Sequence, residues 1–235
     1  KDQLNDADRA ELSPRFDRDI LPALTPLAID PSHPFPVLTN KGLYLQALLR
    51  DPETGEVRRA VVPIPRVLPR VLSLGISAKR SFTLLSLVIE LFVDRLFPGL
   101  DVLGSWAVRI TRNSDLYVDE EESGNLLETI EDEIRNLRKG APVRLEIEAQ
   151  APDEEVTWLL KAIGLGSDNA FRSAGPVNMV RLSSLIDQVG RPDLLYPSFA
   201  PVLSPEFTDP HKLYSRIAKH DLLLHHPYES FNPVV

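Results

Sequence analysis

Apolar and polar residues alternate along several stretches of the chain, which is the period of β-strands with one buried face. Residues 43–49 are such a stretch, residues 58–64 are again apolar, and the turn-forming residues 51–56 between them predict a β-hairpin. Residues 105–111 and 143–148 alternate in the same way and predict two further strands.

Other stretches place apolar residues three and four positions apart, the spacing of a helix with one buried stripe. We predict helices at residues 4–20, 86–97, 119–139, 152–163, 178–186 and 209–217. The helix at 86–97 is apolar around most of its circumference, which predicts burial on several sides. The helix at 119–139 has the clearest pattern, because its acidic start and basic end suit the helix dipole.

The order of these elements favours an α+β fold. The strands alternate, whereas strands of a parallel sheet buried on both faces are continuously apolar. We therefore expect a two-layer sandwich, in which a mainly antiparallel or mixed sheet carries helices on one face, preceded by an N-terminal helical arm. Prolines between Pro26 and Pro36 predict a rigid extended lead-in, and those between Pro192 and Pro210 predict a stiff C-terminal linker.

The composition is that of a globular domain, with 43% hydrophobic and 26% charged residues among 235. A net charge of −8 argues against a generally basic nucleic-acid binder, although a local basic patch is allowed. The chain has no cysteine, which excludes disulfides, thiolate zinc sites and a cysteine nucleophile, and predicts a cytoplasmic location. The most apolar stretch is shorter than the ~20 residues that span a bilayer, so we expect no transmembrane segment.

Motifs for nucleotide or metal chemistry are absent from the sequence. It has no phosphate-loop motif and no complete dinucleotide fingerprint. His225 and His226 are adjacent, so a strand would point them to opposite faces, and we expect no metal site. A short strand predicted at 222–224 leads into residues 225–231, which fit equally well a loop that builds a site and a turn capped by Ser230.

Charged side chains are the remaining candidates for chemistry. Four arginines lie on predicted strands and a helix: Arg109, Arg112, Arg172 and Arg181. Guanidinium groups suit the oxygens of a phosphate chain, but the abundant acids favour salt bridges instead. The acidic run at 115–133 is typical of a solvated helix face. No nucleophile, base and orienting group can be assembled, so we expect no catalytic residue.

Five blocks of sequence stand in a fixed order over almost the whole chain. They are residues 24–36 (LTPLAIDPSHPFP), 94–99 (DRLFPG), 109–116 (RITRNSDL), 191–197 (RPDLLYP) and 224–231 (LHHPYESF). In content and order these blocks resemble the polyphosphate kinases of the first type, which are bacterial enzymes that make long polyphosphate from ATP.

The resemblance implies an enzyme with an N-terminal helical domain, a middle head domain and two catalytic domains of phospholipase D-like fold. It places the end of the N-terminal domain at residues 1–22, the head domain at 23–190, a proline-rich linker at 191–220 and the start of the catalytic half at 221–235. In the family, the phosphorylated histidine and the arginines that hold magnesium follow the last block, and an adenine-contacting asparagine precedes Lys1.

The implied reaction is reversible transfer of the terminal phosphate of ATP to an enzyme histidine and then to polyphosphate, with Mg²⁺ neutralising charge. ATP and polyphosphate would act through the catalytic half, so we expect this segment alone to be inactive and to bind no cofactor. The family's head domain is associated with dimer contacts, which the helix at 86–97 or the sheet face would supply. The cytoplasm is the expected location, and membrane association is allowed for the whole enzyme.

Three residues of the last block are the expected contacts to polyphosphate: His226, Tyr228 and Ser230. Asn232 departs from the family, which usually has Asp there, so a negative charge is missing beside that path. The alternative to a scaffold is a stand-alone module that binds polyphosphate or another anion through its arginines, without catalysis. An independent hydrolase is disfavoured, because no catalytic set can be assembled from the residues.

Overall fold

The computed structural model describes residues 4–29, 35–75, 81–113, 140–205 and 209–234. The predicted helix at 119–139 and the acidic run at 115–133 lie outside the described residues. Contacts divide the chain into two units, Lys1–Val189 and Gly190–Val235, and each unit is described by itself. The domain boundaries implied by the family resemblance stay predictions.

The first unit is built on β-sheet. Its described strands are β1 Leu27–Ile29, β2 Leu43–Arg50, β3 Val57–Pro63, β4 Val71–Leu74, β5 Ser81–Leu84, β6 Asp101–Arg112, β7 Pro142–Glu148 and β8 Ala170–Ser173. Six of them form one sheet in the order β1-β3-β2-β6-β7-β8, antiparallel throughout except between β7 and β8. β4 and β5 form a separate antiparallel pair. The predicted α+β class and mainly antiparallel sheet are confirmed.

The hairpin of β2 and β3 forms as predicted, and Asp51 organises its turn. The Asp51 backbone N–H donates to the Glu56 carbonyl group at 2.9 Å. Its carboxylate accepts the backbone N–H groups of Glu53 at 2.9 Å and Thr54 at 3.1 Å. These hydrogen bonds, the one from Thr54 first, hold the pKa of Asp51 below its usual value.

Helices occur in both units: α1 Asp6–Arg15, α2 Leu85–Leu91, α3 Asp153–Ile163, α4 Ser184–Val189 and α5 Leu213–Ile217. α1 begins at a capping box, in which the side chains of Asn5 and Asp8 accept each other's backbone N–H groups. A π-helical turn continues it to Ile20, so the predicted helix at 4–20 is confirmed. None of the described helices combines the length and apolar character that crossing a bilayer requires.

Two further helix predictions meet different outcomes. α3 begins after Pro152 and ends at Gly164, whose φ of 74° is the left-handed conformation that glycine adopts readily, as predicted. The predicted helix at 86–97 is shorter. α2 ends at Leu91, because Phe92 has φ −116° and ψ 25° outside the helical region, and a 3₁₀ turn follows at Val93–Leu96.

Helices cover both faces of the six-stranded sheet. One face presents Leu43, Leu45 and Ala47 of β2, which belong to a buried cluster with residues of α1 and α2. The opposite face presents Trp106 and Val108 of β6, which belong to a second cluster with residues of α3. The predicted arrangement had helices on one face. The structure has a further layer, because the central strands carry apolar or small residues on both faces.

A buried ion pair ties α3 to the sheet. The Glu155 carboxylate, with 3% of its side chain exposed, accepts hydrogen bonds from Arg59 Nη2 at 2.7 Å and from Arg59 Nε at 2.9 Å. Gln46 Nε2 donates to the same carboxylate at 2.9 Å. The bond to Glu155 raises the pKa of Arg59, whose guanidinium group also lies 4.7 Å from the ring centre of Trp158.

The second unit has little regular structure in its described residues. α5 is preceded by 3₁₀ turns at Pro192–Leu194 and Pro210–Lys212, which agrees with the helix predicted at 209–217. The strand predicted at 222–224 is wrong. A strand needs a neighbour to accept and donate its backbone hydrogen bonds, and in the described part of this unit only the isolated bridge between Val202 and Glu229 is present.

Candidate functional site

Residues 225–230 of the last sequence block fold into a hydrogen-bonded turn in the second unit. The His225 backbone N–H donates to the Glu229 carboxylate at 2.8 Å, and the Glu229 N–H donates to the His225 carbonyl group at 2.9 Å. Val202 holds the other side of the turn. Its N–H donates to the Tyr228 carbonyl group at 2.8 Å, and its carbonyl group accepts the Ser230 N–H at 2.9 Å.

Two of the expected polyphosphate contacts are aromatic rings packed on other rings. His226 lies edge-to-face on Phe231, with ring centres 5.6 Å apart. Tyr228 contacts Phe199 at 5.8 Å and His225 at 5.0 Å between ring centres. Within the described part of the chain, the His226 imidazole and the Tyr228 hydroxyl have no hydrogen-bond partner, so both are open to a ligand.

Ser230, the third expected contact, caps the turn. Its Oγ accepts the Asn232 N–H at 3.2 Å, which is the contact of a turn-forming serine. The structure therefore contains the turn capped by Ser230 that the sequence allowed as one possibility. The His226 imidazole and the Tyr228 hydroxyl have no hydrogen-bond partner among the described residues of this turn. The assignment of His226, Tyr228 and Ser230 to a polyphosphate path stays a prediction.

Among the described residues, the adjacent histidines belong to no group that could hold a metal ion. His225 packs on Tyr228 and His226 on Phe231, so the two rings have different surroundings. Over the ranges that the structure describes, no three His, Asp or Glu side chains are placed to hold a metal ion. These residues do not fit the Mg²⁺ that the family implies, and no reaction step is assigned to a metal among them.

Three of the four candidate arginines are held by protein partners. The partners are Glu146 for Arg109, the Leu38 and Gly140 carbonyl groups for Arg112, and Asp153 with the Ala151 carbonyl group for Arg172. These three side chains therefore tie strands and loops together. Arg181 differs, because its guanidinium group has no partner among the described residues.

Arg181 lines a cavity of about 380 Å³ in the first unit, together with basic side chains that no sequence motif indicated. The other cations of this basic cavity are Lys41, Arg66 and Arg70, and no Asp or Glu is among the described residues that line it. A signal for it exists in the sequence. No acidic residue stands between positions 56 and 90, in a chain whose net charge is −8.

The architecture is that of an α+β domain whose mainly antiparallel sheet has helices on both faces. The polyphosphate kinase middle domain is the family whose model matches residues 7–185. The chain is 41% identical over 222 residues to the polyphosphate kinase of Burkholderia multivorans, covering 92% of this chain and 32% of that protein. For the polyphosphate kinase of Pseudomonas aeruginosa the identity is 38% over 227 residues, covering 94% and 33%. The chain belongs to the polyphosphate kinase family.

A solved structure shares this fold. The crystal structure of polyphosphate kinase from Porphyromonas gingivalis superposes with a TM-score of 0.67 at 24% identity, over 98% of this chain and 33% of that one. The family resemblance carried by the five sequence blocks is thus confirmed. The chain spans about a third of the length of the curated relatives that it matches.

Proposed function

We propose that this chain is the middle segment of an enzyme that transfers the terminal phosphate of ATP reversibly to polyphosphate through a phosphohistidine. The segment acts as scaffold and dimerisation module, and phosphate transfer takes place on parts of the enzyme that it does not contain. The observation that carries the proposal is the match of residues 7–185 to the polyphosphate kinase middle domain, at about 40% identity to proteins named polyphosphate kinase.

The use of polar side chains in the first unit supports a scaffold role. Buried charges there pair with one another and stabilise the packing, as in the Arg59–Glu155 pair. Three of the four candidate arginines bond to other residues of the chain. Cavity-lining cations are the exception, and they bear on ligand binding rather than on bond-making. Phosphoryl transfer requires in-line positioning and charge neutralisation by groups that these residues do not assemble.

A domain exchange tests the family role directly. Residues 7–185 replace the matching segment of the Pseudomonas aeruginosa relative, and polyphosphate formation from ATP and Mg²⁺ is measured. We expect a rate within about tenfold of that enzyme, which is ~1.4 kcal/mol in the barrier. The control exchange carries Leu45→Asp in the buried core and is expected to lose activity. A folded exchange protein without synthesis contradicts the proposal.

The inactivity of the segment is tested on the 235-residue chain alone, with the Pseudomonas aeruginosa relative as the positive control. We expect neither polyphosphate from ATP nor ATP from polyphosphate and ADP. Transfer above the background of a heat-denatured sample would show that the chain holds its own catalytic group.

Dimerisation is tested by light scattering over a range of protein concentrations, with a mass of two chains expected. Both surfaces that the sequence suggested for the contact pack within the chain: α2 buries Leu85, Val88 and Ile89, and both sheet faces are covered. A single-chain mass at all concentrations would remove dimerisation from the proposal.

The proposed polyphosphate path is tested in a polyphosphate kinase that carries this chain in place of its own corresponding region. We expect Tyr228→Phe and His226→Ala to raise the KM for polyphosphate, since both remove a polar group that is free in the turn. Tyr214→Phe is the matched control, because Tyr214 is 83% exposed in the same unit. Equal KM values for all three variants would remove these residues from the path.

A stand-alone anion-binding module is the second candidate function, and the basic cavity favours it. Such a module would bind polyphosphate without transferring phosphate. It predicts binding that weakens with salt, because ionic contacts are screened.

A further inference from the structure

We infer that the basic cavity of the first unit is a binding site for an inorganic phosphate chain. The cavity lies between the loop at residues 64–70 and the segment at 178–184, beside the start of β2. The inference deepens the second candidate function, an anion-binding module, and rests on it; the scaffold function does not require such a site.

Among the described residues that line the cavity, no carboxylate balances its positive charge. Lys41, Arg66, Arg70 and Arg181 line it, and in the described part of the chain none of them forms an ion pair. Elsewhere in this acidic chain arginines are paired with carboxylates, for example Arg50 with Asp101. Four unpaired cations on one cavity repel one another unless an anion lies between them.

Arg70 has donors without an acceptor among the described residues. Its Nη2 donates to the Val177 carbonyl group at 3.1 Å, but its Nε and Nη1 are buried without a partner. Buried donors in native proteins are nearly always hydrogen-bonded. These two atoms are closed off from solvent, so Arg70 acts on an anion in the cavity through its charge. The exposed guanidinium groups of Arg66 and Arg181 supply the donors, and phosphate oxygens suit a guanidinium group in charge and geometry.

Burial also disfavours the charged form of Arg70. It lowers the pKa of Arg70 to about 10, against a smaller opposing effect of Glu148. The guanidinium group stays charged at neutral pH. An anion in the cavity would stabilise that charge and raise the pKa again, so binding and ionisation support each other.

The backbone at the cavity is also unusual. In the described part of the chain two non-glycine residues have positive φ, Lys41 at 55° and Asn178 at 67°, and both line this cavity. Such conformations are disfavoured for residues with a Cβ and concentrate at ligand sites. The Lys41 N–H donates to the Ile110 carbonyl group at 2.9 Å, which ties this residue to the end of β6.

The lining distinguishes a phosphate chain from a nucleotide. None of the described residues that line the cavity has an aromatic ring on which a base would stack, and its apolar part consists of aliphatic residues such as Leu43, Ile64 and Leu85. The volume of about 380 Å³ falls within the ~300–1,000 Å³ of small-molecule pockets. Several cations around a space of this size suit an extended anion with charge on each unit.

Calorimetric titration of the 235-residue chain with sodium tripolyphosphate tests the site, with ATP and inorganic phosphate as parallel titrants. We expect saturable binding of tripolyphosphate that weakens with added salt, and at least about tenfold weaker binding of both other anions. Absence of tripolyphosphate binding at low salt would overturn the inference. ATP binding as tight as that of tripolyphosphate would overturn the assignment to an inorganic chain.

Substitutions of the arginines that line the cavity test where tripolyphosphate binds. Arg66→Gln, Arg70→Gln and Arg181→Gln are each expected to weaken tripolyphosphate about tenfold. Arg58→Gln is the charge-matched control, since Arg58 pairs with Glu56 in the hairpin and is expected to bind as the unmodified chain does. Arg66 and Arg181 are exposed, so their variants remain informative if Arg70→Gln does not fold. Equal weakening by the control would overturn the location.

Discussion

At the residue scale, the Glu155 carboxylate is almost completely shielded from water. Hydrogen bonds from Arg59 and Gln46 replace the ones that water would donate to it. We expect Glu155→Ala to lower the free energy of unfolding by about 3 kcal/mol, because Arg59 loses its charge partner in a half-buried position. Urea unfolding measures the change. Glu154→Ala, at the exposed neighbouring position, should stay within about 0.5 kcal/mol, and equal effects of the two variants would contradict the role of the ion pair.

Asp51 predicts a pH dependence. Its folded pKa lies below the ordinary carboxyl value because of the N–H groups of Thr54 and Glu53, so ionised Asp51 stabilises the fold at pH above about 4. That contribution is lost as the pH falls through the lowered folded pKa. Thermal unfolding between low and neutral pH should show unmodified chain and Asp51→Asn converging in acid. A difference that is independent of pH would contradict this prediction.

The hydrogen-bond partners of individual side chains show which contacts can be predicted from the sequence and which cannot. The turn at Asp51 was predictable, because the hydrogen bonds of its side chain stay within three residues. The partners of Arg59 and Arg109 lie 96 and 37 positions away, so only the fold decides which arginines are satisfied. The basic cavity was missed for the same reason, since its cations come from separate stretches of chain.

At the element scale, β6 contains a glycine that the packing requires. A Cβ on Gly104 would lie 2.6 Å from Cζ2 of Trp106, whose ring is buried in the core. We expect Gly104→Ala to lower the free energy of unfolding by about 1–3 kcal/mol and to shift tryptophan fluorescence, because the ring must move. Gly175→Ala is the matched control, since a Cβ there meets open space. A fluorescence spectrum unchanged by Gly104→Ala would contradict the close contact.

Long periodic elements were predictable from the sequence, and short or unpaired ones were not. β2, β3, β6, β7 and α3 follow their patterns closely. β1, β4, β5 and β8 have three or four residues each, too few for a period to stand out. The helical layer on the second face of the sheet was not predicted. Ala107 and other small residues on that face of the strands do not indicate a buried surface in the sequence.

At the scale of the whole molecule, the two buried clusters lie entirely within the first unit. We therefore expect a chain of residues 1–189 to unfold cooperatively and to keep the tripolyphosphate binding of the 235-residue chain. Calorimetry measures both properties. Loss of cooperative unfolding on removal of residues 190–235 would show that the first unit depends on the second.

The strand order also sets how the chain must fold during synthesis. β2 pairs on one side with β3, its neighbour in sequence, and on the other side with β6. A nascent hairpin therefore has an open apolar edge until Arg112 has been added, roughly 50 residues after Pro63. At ~5–20 residues per second this interval lasts about 3 to 10 seconds. During it, the edge that will become the centre of the sheet is available to other chains, so expression at lower temperature with chaperones should raise the yield of folded protein.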